Sequence, residues 1–328
     1  MRTEYSLVFQ AMGTQVTVLV VDRPGSRAVP RLLEEVRLLF ALEESRFSRF
    51  LPHSELSRIN AAGGSLDASP QMWDVLHRAR RWWRRTRGAF DPSLLPSLEA
   101  AGYDRPFHRL EVFPALNPGD PEGSSHAVGM EGLKLELARE RRRVYLEPGL
   151  RLDLGGIVKG WTVDRAAELL KDTDAFLVDA GGDVRARGDG VTPPGWPVGV
   201  QDPADPQRDV GVLLLRHGAV ATSAVHRRRW VRPDGLQAHH IIDPSTGRPA
   251  KADLVAATVT ADTAEEADVL ATALVVLGPH EGLALVEERP GVEALLFPQK
   301  GPPLPSAGWA AFMYTSHVGE TAEVSPGR

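Results

Sequence analysis

Residues 151–170 read RLDLGGIVKGWTVDRAAELL, in which an acidic residue, two adjacent glycines and a lysine precede a helical pattern. Glycine lets a backbone approach a ligand because it carries no Cβ atom, and the start of a helix offers free N–H groups to an anion. The stretch therefore predicts a nucleotide phosphate site. It matches neither common phosphate-binding template, because Lys159 is followed by Gly160 and the chain contains no G-x-G-x-x-G motif.

The overall composition excludes several functional classes. The chain has 328 residues, 42% hydrophobic and 25% charged, as in ordinary globular proteins, and its net charge of −5 gives no preference for nucleic acid. The absence of cysteine excludes disulfides, thiolate metal sites and cysteine nucleophiles. The first residues lack the apolar core of a signal peptide, and no run approaches the roughly 18 apolar residues of a membrane span. We therefore expect a cytoplasmic protein without a membrane span.

The order of the predicted elements favours an α+β fold with mixed or antiparallel sheets and packed helices. Strands and helices are interspersed without the regular β-α-β rhythm of a parallel sheet. Residues 104–130 are rich in Pro, Gly and Ser and are predicted to form loops. We expect a single domain over residues 1–316 and a disordered tail over residues 317–328. Besides the stretch already quoted, the patterns predict strands within residues 5–22, 176–188, 210–223, 252–262 and 292–297, and helices within 29–47, 69–88, 263–278 and 280–291.

The helix predicted over residues 69–88 carries six arginines between Arg78 and Arg87. They fall largely outside the apolar face, so the pattern indicates a solvated basic face more than a nucleic-acid surface. The buried face is predicted to consist of Met72, Val75, Leu76, Ala79 and Trp83.

The helix predicted over residues 263–278 carries an acid and a hydroxyl on one face. Asp268 and Thr272 are four residues apart, and most of their neighbours are apolar. A hard cation such as Mg²⁺ takes oxygen ligands and would satisfy both groups. The alternative is that Asp268 faces water and that Thr272 bonds back to a carbonyl of its own helix.

The segment HHIIDPSTGRP, residues 239–249, contains two adjacent histidines followed by turn residues. Adjacent side chains on a strand point to opposite faces, so one imidazole of the pair could enter a site as a general base near neutral pH. The alternative is a strand and turn with an incidental imidazole.

Taken together and in this order, nine stretches resemble the ApbE family of FAD:protein FMN transferases over roughly residues 8–297. Any one stretch is a weak signal of the family, whereas all nine in the same order along the chain make the resemblance specific. They are AMGT (11–14), FSRFLPHSELSRIN (47–60), GAFDPSLLPS (88–97), LDLGGIVKGWTVDRAAELL (152–170), LVDAGGDVRARG (177–188), WPVGVQDP (196–203), AVATSAVHRRRW (219–230), HHIIDPSTGRP (239–249) and VTADTAEEADVLATALVVLG (259–278).

The resemblance implies a single catalytic domain of ApbE-like fold, with FAD bound in a cleft. Such enzymes use Mg²⁺ to split FAD, pass FMN to a Thr or Ser hydroxyl of a target flavoprotein, and release AMP. By the same resemblance, the carbonyl of Gly156 and the side chains of Asp268 and Thr272 would hold the metal, and His240 would activate the acceptor hydroxyl. The residues implied to contact FAD are Met12, Phe50, Ala89, Phe90, Asp91, Asp153, Lys159, His240 and Ile242.

The sequence departs from the family pattern at two positions in this comparison. Phe50 stands where the family often has Tyr, so the stacking surface remains without the hydroxyl. Ala224 follows Thr222 and Ser223 where the family usually has glycine. Three other readings stay open: an FAD pyrophosphatase that gives FMN and AMP, a flavin carrier without catalysis, and a nucleic-acid-binding protein that uses the basic helix. The flavin carrier is disfavoured because Asp268, Thr272 and His240 are all present.

Overall fold

The computed structural model describes residues 2–110, 129–138, 141–191, 194–232, 235, 237–250 and 253–314. The tail predicted over 317–328 and most of the loop predicted over 104–130 lie outside these residues. The helices in the described part are α1 (Ala28–Phe47), α2 (Glu55–Ala62), α3 (Pro70–Arg85), α4 (Leu95–Ala100), α5 (Gly155–Leu169) and α6 (Ala264–Glu287). Short 3-10 helices cover Phe107–Arg109, Met130–Gly132 and Trp309–Phe312.

The strands of the described residues form one large sheet and several small ones. They are β1 (Thr3–Ala11), β2 (Thr14–Asp22), β3 (Ser65–Asp67), β4 (Leu133–Ala138), β5 (Arg141–Leu146), β6 (Ala175–Ala180), β7 (Asp183–Arg187), β8 (Trp196–Gln201), β9 (Asp209–Leu215), β10 (His217–Ala224), β11 (Arg229–Val231), β12 (Gln237–His239), β13 (Ile242–Asp243), β14 (Arg248–Pro249), β15 (Leu254–Ala261), β16 (Glu293–Pro298) and β17 (Leu304–Pro305). Eight of them form a sheet in the order β1-β2-β6-β7-β10-β15-β16-β17, and all neighbours are antiparallel. This sheet with its packed helices confirms the predicted α+β class.

The large sheet separates two apolar clusters. Successive side chains of a strand point to opposite faces, so Val178 contributes to one cluster and Leu177 to the other. The first and larger cluster lies under α1, α5 and α6, and the second contains residues of the β8–β9 hairpin. The helical face matters for function because α5 and α6 carry the glycine stretch and the acid–hydroxyl pair.

Helix α3 begins as its sequence predicts. The Ser69 side chain accepts a hydrogen bond from the Met72 N–H, and Pro70 occupies the first turn. The other four residues predicted for the buried face are buried, whereas Trp83 is half-buried against the core and Trp82 is the buried tryptophan. Trp82 turns inward because its indole N–H donates to the Glu265 carboxylate at 2.7 Å, a partner that lies on α6.

Helix α6 is interrupted at Gly278, where φ is +77° and the residue is not helical. The predicted helix end at this glycine is therefore correct, and a second helical segment follows it. Among the described residues, α6 is long and apolar enough by length and composition alone to cross a membrane, with a mean hydropathy of 1.7 over its most apolar 18 residues. The expected absence of a membrane span therefore stays a prediction. The core helices of many soluble proteins meet the same criterion, and α6 packs against β10 and β15 of the large sheet.

Candidate active site

A cavity of about 660 Å³ is lined by the start of α5, by α6 and by the segment that contains His240. Its volume lies within the roughly 300–1,000 Å³ that is usual for small-molecule sites. All the predicted site residues line this one cavity, although they come from segments up to 260 positions apart: Met12, Phe50, Ala89, Phe90, Asp91, Asp153, Gly156, Lys159, His240, Ile242, Asp268 and Thr272.

At the start of α5, the glycine stretch bonds to the acidic residue that precedes it. The Gly155 N–H donates to Asp153 Oδ1 at 2.7 Å, and Arg49 Nε lies 2.5 Å from Asp153 Oδ2. The Leu154 carbonyl accepts from the N–H groups of the third and fourth helical residues. Most of the N–H groups expected to be free for an anion are therefore already bonded within the protein. Asp153 accepts only the first of these N–H groups, and Leu154 occupies the N-cap position without a side-chain hydrogen bond.

Helices α5 and α6 approach each other closely at Gly160. An ideal Cβ atom built on Gly160 would lie 2.5 Å from the carbonyl oxygen of Ala264. One turn further along α5, Asp164 accepts the N–H groups of Ala264 and Glu265, both at 2.9 Å, and so caps α6. This close packing brings Asp268, on the second turn of α6, next to the first turn of α5.

The carboxylate of Asp268 is buried and only partly satisfied. Its Oδ2 has no hydrogen-bond partner among the described residues, and burial raises the pKa of the Asp268 carboxyl. The N–H of Gly160 donates to this carboxylate. In an α-helix the same N–H faces the carbonyl of the residue four positions earlier, which is Gly156. Asp268 and Gly156 both line the cavity.

Thr272 lies on the same face of α6 and bonds to a hydroxyl. Its Oγ1 lies 2.9 Å from Ser223 Oγ on β10. The alternative in which Asp268 faces water and Thr272 bonds only to its own helix is therefore wrong, because the fold buries this face against β10. Sequence reasoning mentioned Ser223 as part of a motif and did not connect it with Thr272.

The oxygen atoms around Asp268 fit a hard divalent cation. No group of three or more His, Cys, Asp or Glu side chains within the described ranges could hold a metal. A cation here would therefore rely on hydroxyl and carbonyl oxygens as well as on one carboxylate, a donor set that Mg²⁺ accepts when water or phosphate completes its shell. The orphaned Oδ2 of Asp268 is the observation that favours such an ion.

The two adjacent histidines have different surroundings. Both ring nitrogens of His239 are engaged, Nε2 with the Ala250 carbonyl at 3.2 Å and Nδ1 with the Ile241 N–H at 3.3 Å. His240 lines the cavity, and its Nδ1 is buried without a partner among the described residues. Burial first, then the nearby Arg228, lowers the pKa of His240 to about 3. The expectation of an imidazole near its ordinary pKa is therefore wrong for the protein without a ligand.

The chain matches a known protein family over most of its length. A model of the ApbE family matches residues 12–296. The chain belongs to the ApbE family. It is 33% identical over 320 residues to the FAD:protein FMN transferase of Treponema pallidum, a match that covers 90% of this chain and 85% of that protein. It is 32% identical over 286 residues to the FAD:protein FMN transferase of Vibrio cholerae, with 84% and 82% covered.

Solved structures of ApbE proteins have the same fold. The ApbE protein of Thermotoga maritima superposes with a TM-score of 0.83 at 28% identity and covers 95% of this chain and 100% of its own. The flavin transferase ApbE of Vibrio cholerae gives a TM-score of 0.79 at 28% identity, with the same coverage. These values confirm the predicted ApbE-like fold.

The apolar part of the ApbE cavity contains a tight turn between two strands and an aromatic ring that packs closely on a helix. Met12 and Gly13 form the turn between β1 and β2 with φ values of +52° and +71°, as a type I′ hairpin turn requires. Phe90 is buried, and its ring would lie 3.2 Å from a Cβ atom on Gly156. An aromatic ring thus covers the first turn of α5. Nearby, Asp91 accepts from the Ser93 N–H at 2.8 Å, and burial raises the pKa of its carboxyl.

Sequence reasoning missed several residues of the ApbE cavity. Arg49 stacks on the rings of Phe50 and Tyr103, with its guanidinium carbon 4.1 and 4.6 Å from the two ring centres. Lys159 forms a buried ion pair with Asp183. The signal for Arg49 and Asp183 was present, since both lie inside matched stretches of sequence. Tyr103 lies outside every matched stretch, and only the fold brings it to the cavity.

Proposed function

We propose that this chain is an FAD:protein FMN transferase. It would take FMN from FAD, attach it to a Thr or Ser hydroxyl of a target flavoprotein and release AMP. The observation that carries the proposal is that two buried polar atoms at one cavity have no hydrogen-bond partner among the described residues. They are the Oδ2 atom of Asp268 and the Nδ1 atom of His240. The names of the relatives in Treponema pallidum and Vibrio cholerae support the same activity.

The proposed reaction balances as a phosphoryl transfer. The acceptor oxygen attacks the phosphorus of the FMN half, the bond to the bridging oxygen breaks, and AMP leaves with the electron pair. His240 would accept the proton of the acceptor hydroxyl. With its pKa near 3 the free imidazole is neutral at pH 7, so it is in the form that accepts a proton. The negative phosphates of bound FAD would raise this pKa toward neutrality.

Asp268, Thr272 and the carbonyl of Gly156 would hold Mg²⁺. When bound, this ion neutralises negative charge on the pyrophosphate. Phe50, Phe90 and Met12 would hold the flavin ring, since aromatic rings and a thioether provide a broad apolar surface. The buried pair of Lys159 and Asp183 would keep the wall of α5 rigid while the substrate binds.

The cytoplasmic location remains a prediction.

The test is incubation of the protein with FAD, Mg²⁺ and a flavoprotein domain that carries an acceptor Thr or Ser. Flavin that stays on the domain through denaturation, together with AMP release, supports the transferase. Free FMN and AMP without labelled domain would instead show an FAD pyrophosphatase, and neither product would show a flavin carrier. The Asp268→Ala variant, which lacks the charged metal ligand, is the control that should give no product.

A further inference from the structure

Arg228 brings a positive charge to the cavity that the predicted site does not include. It lies in the short connection between β10 and β11, and its half-buried side chain lines the cavity. Its backbone carbonyl accepts the His240 N–H at 3.2 Å. The next residue, Arg229, is exposed and does not line the cavity. The two neighbouring arginines therefore form a natural pair of test and control.

The charge of Arg228 is not neutralised by the protein. Arg49 and Lys159, two other cations of the same wall, are each paired with a carboxylate, Asp153 and Asp183. Among the described residues no carboxylate forms an ion pair with Arg228, and its guanidinium donates to the hydroxyl of Tyr103. A guanidinium has five N–H donors, so this one bond leaves most of them available to a ligand.

Arg228 lines the same cavity as both groups proposed for the chemistry, His240 and Asp268. Its charge lowers the pKa of His240. A guanidinium that has no carboxylate partner in a cavity is stabilised when an anionic ligand binds beside it. The planar guanidinium matches the oxygen geometry of a phosphate and binds it through two parallel hydrogen bonds.

We propose that Arg228 binds the pyrophosphate of FAD and stabilises the negative charge that develops on the AMP phosphate as it leaves. The inference rests on the proposed function, and it adds a phosphate-binding residue to the reaction. The acceptor oxygen forms its bond to the FMN phosphorus, the hydroxyl proton goes to His240, and the AMP oxygen keeps the electron pair. The N–H groups of Arg228 donate to the AMP phosphate throughout.

The competing role for Arg228 is to hold the ring of Tyr103, which packs against Phe50 with 5.7 Å between ring centres. In that case Arg228 would shape the flavin side of the cavity and would not contact phosphate. Riboflavin separates the two roles because it has the flavin ring without any phosphate. Tyr103→Phe separates them as well, because it removes the hydroxyl that accepts from Arg228 and leaves the ring.

The experiment measures FAD and riboflavin affinity without Mg²⁺, by quenching of flavin fluorescence, for the wild type and four variants. We expect Arg228→Gln to weaken FAD binding about 10- to 100-fold, the usual range for a hydrogen bond to a charged group, and to leave riboflavin binding unchanged. Arg228→Lys should retain part of the FAD affinity. Arg229→Gln should bind FAD like the wild type, and any loss of affinity in Tyr103→Phe should be smaller than in Arg228→Gln and the same for FAD and riboflavin. AMP release in Mg²⁺ should fall in Arg228→Gln by at least the same factor.

Other outcomes overturn the inference and identify the reason. Parallel losses of FAD and riboflavin affinity, or an equal loss of FAD affinity in Tyr103→Phe, assign Arg228 to the support of Tyr103. Unchanged FAD affinity in a folded Arg228→Gln protein means that the Arg228 side chain contacts no phosphate of FAD. If that variant does not fold, Arg228→Lys decides by the same comparison. Failure of the proposed function has a different signature, because the wild type would then leave the acceptor domain without covalent flavin, whatever the affinities of the Arg228 variants for FAD.

Discussion

The contact between α5 and α6 at Gly160 offers the most direct test of how the fold builds the site. In the change Gly160→Ala, the added Cβ atom meets only backbone, at 2.5 and 2.7 Å from the carbonyl atoms of Ala264 and 2.9 Å from Glu265 Cα. Backbone cannot rotate away, so the helices must separate. Raising the shortest distance to an ordinary contact of 3.4 Å requires a shift of about 0.9 Å.

Two opposing energies set the expected loss of stability. Overpacking costs about 1–3 kcal/mol, and contact with backbone favours the upper end. Alanine is better than glycine inside a helix by about 1 kcal/mol. We therefore expect Gly160→Ala to lower the free energy of unfolding by about 2 kcal/mol in denaturant titrations, on combining these two ranges. The same shift separates Asp268 from the Gly156 carbonyl, so AMP release should fall about 100-fold.

The matched control is Gly282→Ala, in the second half of α6. There the added Cβ atom lies 3.3 Å from Leu274 Cδ2, the end of a flexible side chain, so the helix gains propensity at little steric cost. This variant should be as stable as the wild type or more so, with normal AMP release. A Gly160→Ala protein with wild-type stability and turnover would refute the argument that the close approach of α5 and α6 assembles the site.

Three further predictions concern the proposed chemistry. Asp268→Ala should release no AMP, and Thr272→Ala should be impaired but partly rescued by high Mg²⁺; wild-type turnover in excess EDTA would contradict the metal site. His240→Ala should slow flavin transfer about 10²- to 10⁴-fold with little change in FAD affinity, whereas slow transfer in His239→Ala alone would show that the other imidazole is the base. The pKa of the buried His240 is about 3, below its value of about 6.5 in the unfolded chain. Above pH 6.5 the neutral imidazole costs no stability, and the free energy of unfolding falls as pH drops below that value. Between pH 7 and pH 5, His240→Gln should lose about 2 kcal/mol less unfolding free energy than the wild type, as measured in denaturant titrations; equal losses would show that His240 is not buried in the neutral form.

Local signals were enough to predict the elements and the face on which the acid and hydroxyl lie. The start of α3 after Ser69 and the helix break at Gly278 agree with the ranges 69–88 and 263–278 that a few residues predicted. Their physical basis is short-range: dihedral preference, side-chain capping and the helical period act within about five residues of the chain. The family resemblance then supplied the site residues, and the fold brings all of them to one cavity.

Long-range packing decided what those residues can do. The choice of His240 over His239, and its low pKa, depend on burial and on Arg228. The cap that Asp164 provides for α6 joins positions 100 apart, and the inward turn of Trp82 depends on Glu265, 183 positions away. Charge and desolvation act through space, and a linear pattern does not contain the distance between groups that only the folded chain brings together. The sequence by itself therefore determined which chemical groups this protein carries, and the tertiary structure decided which of them are buried, paired or left with an unsatisfied atom.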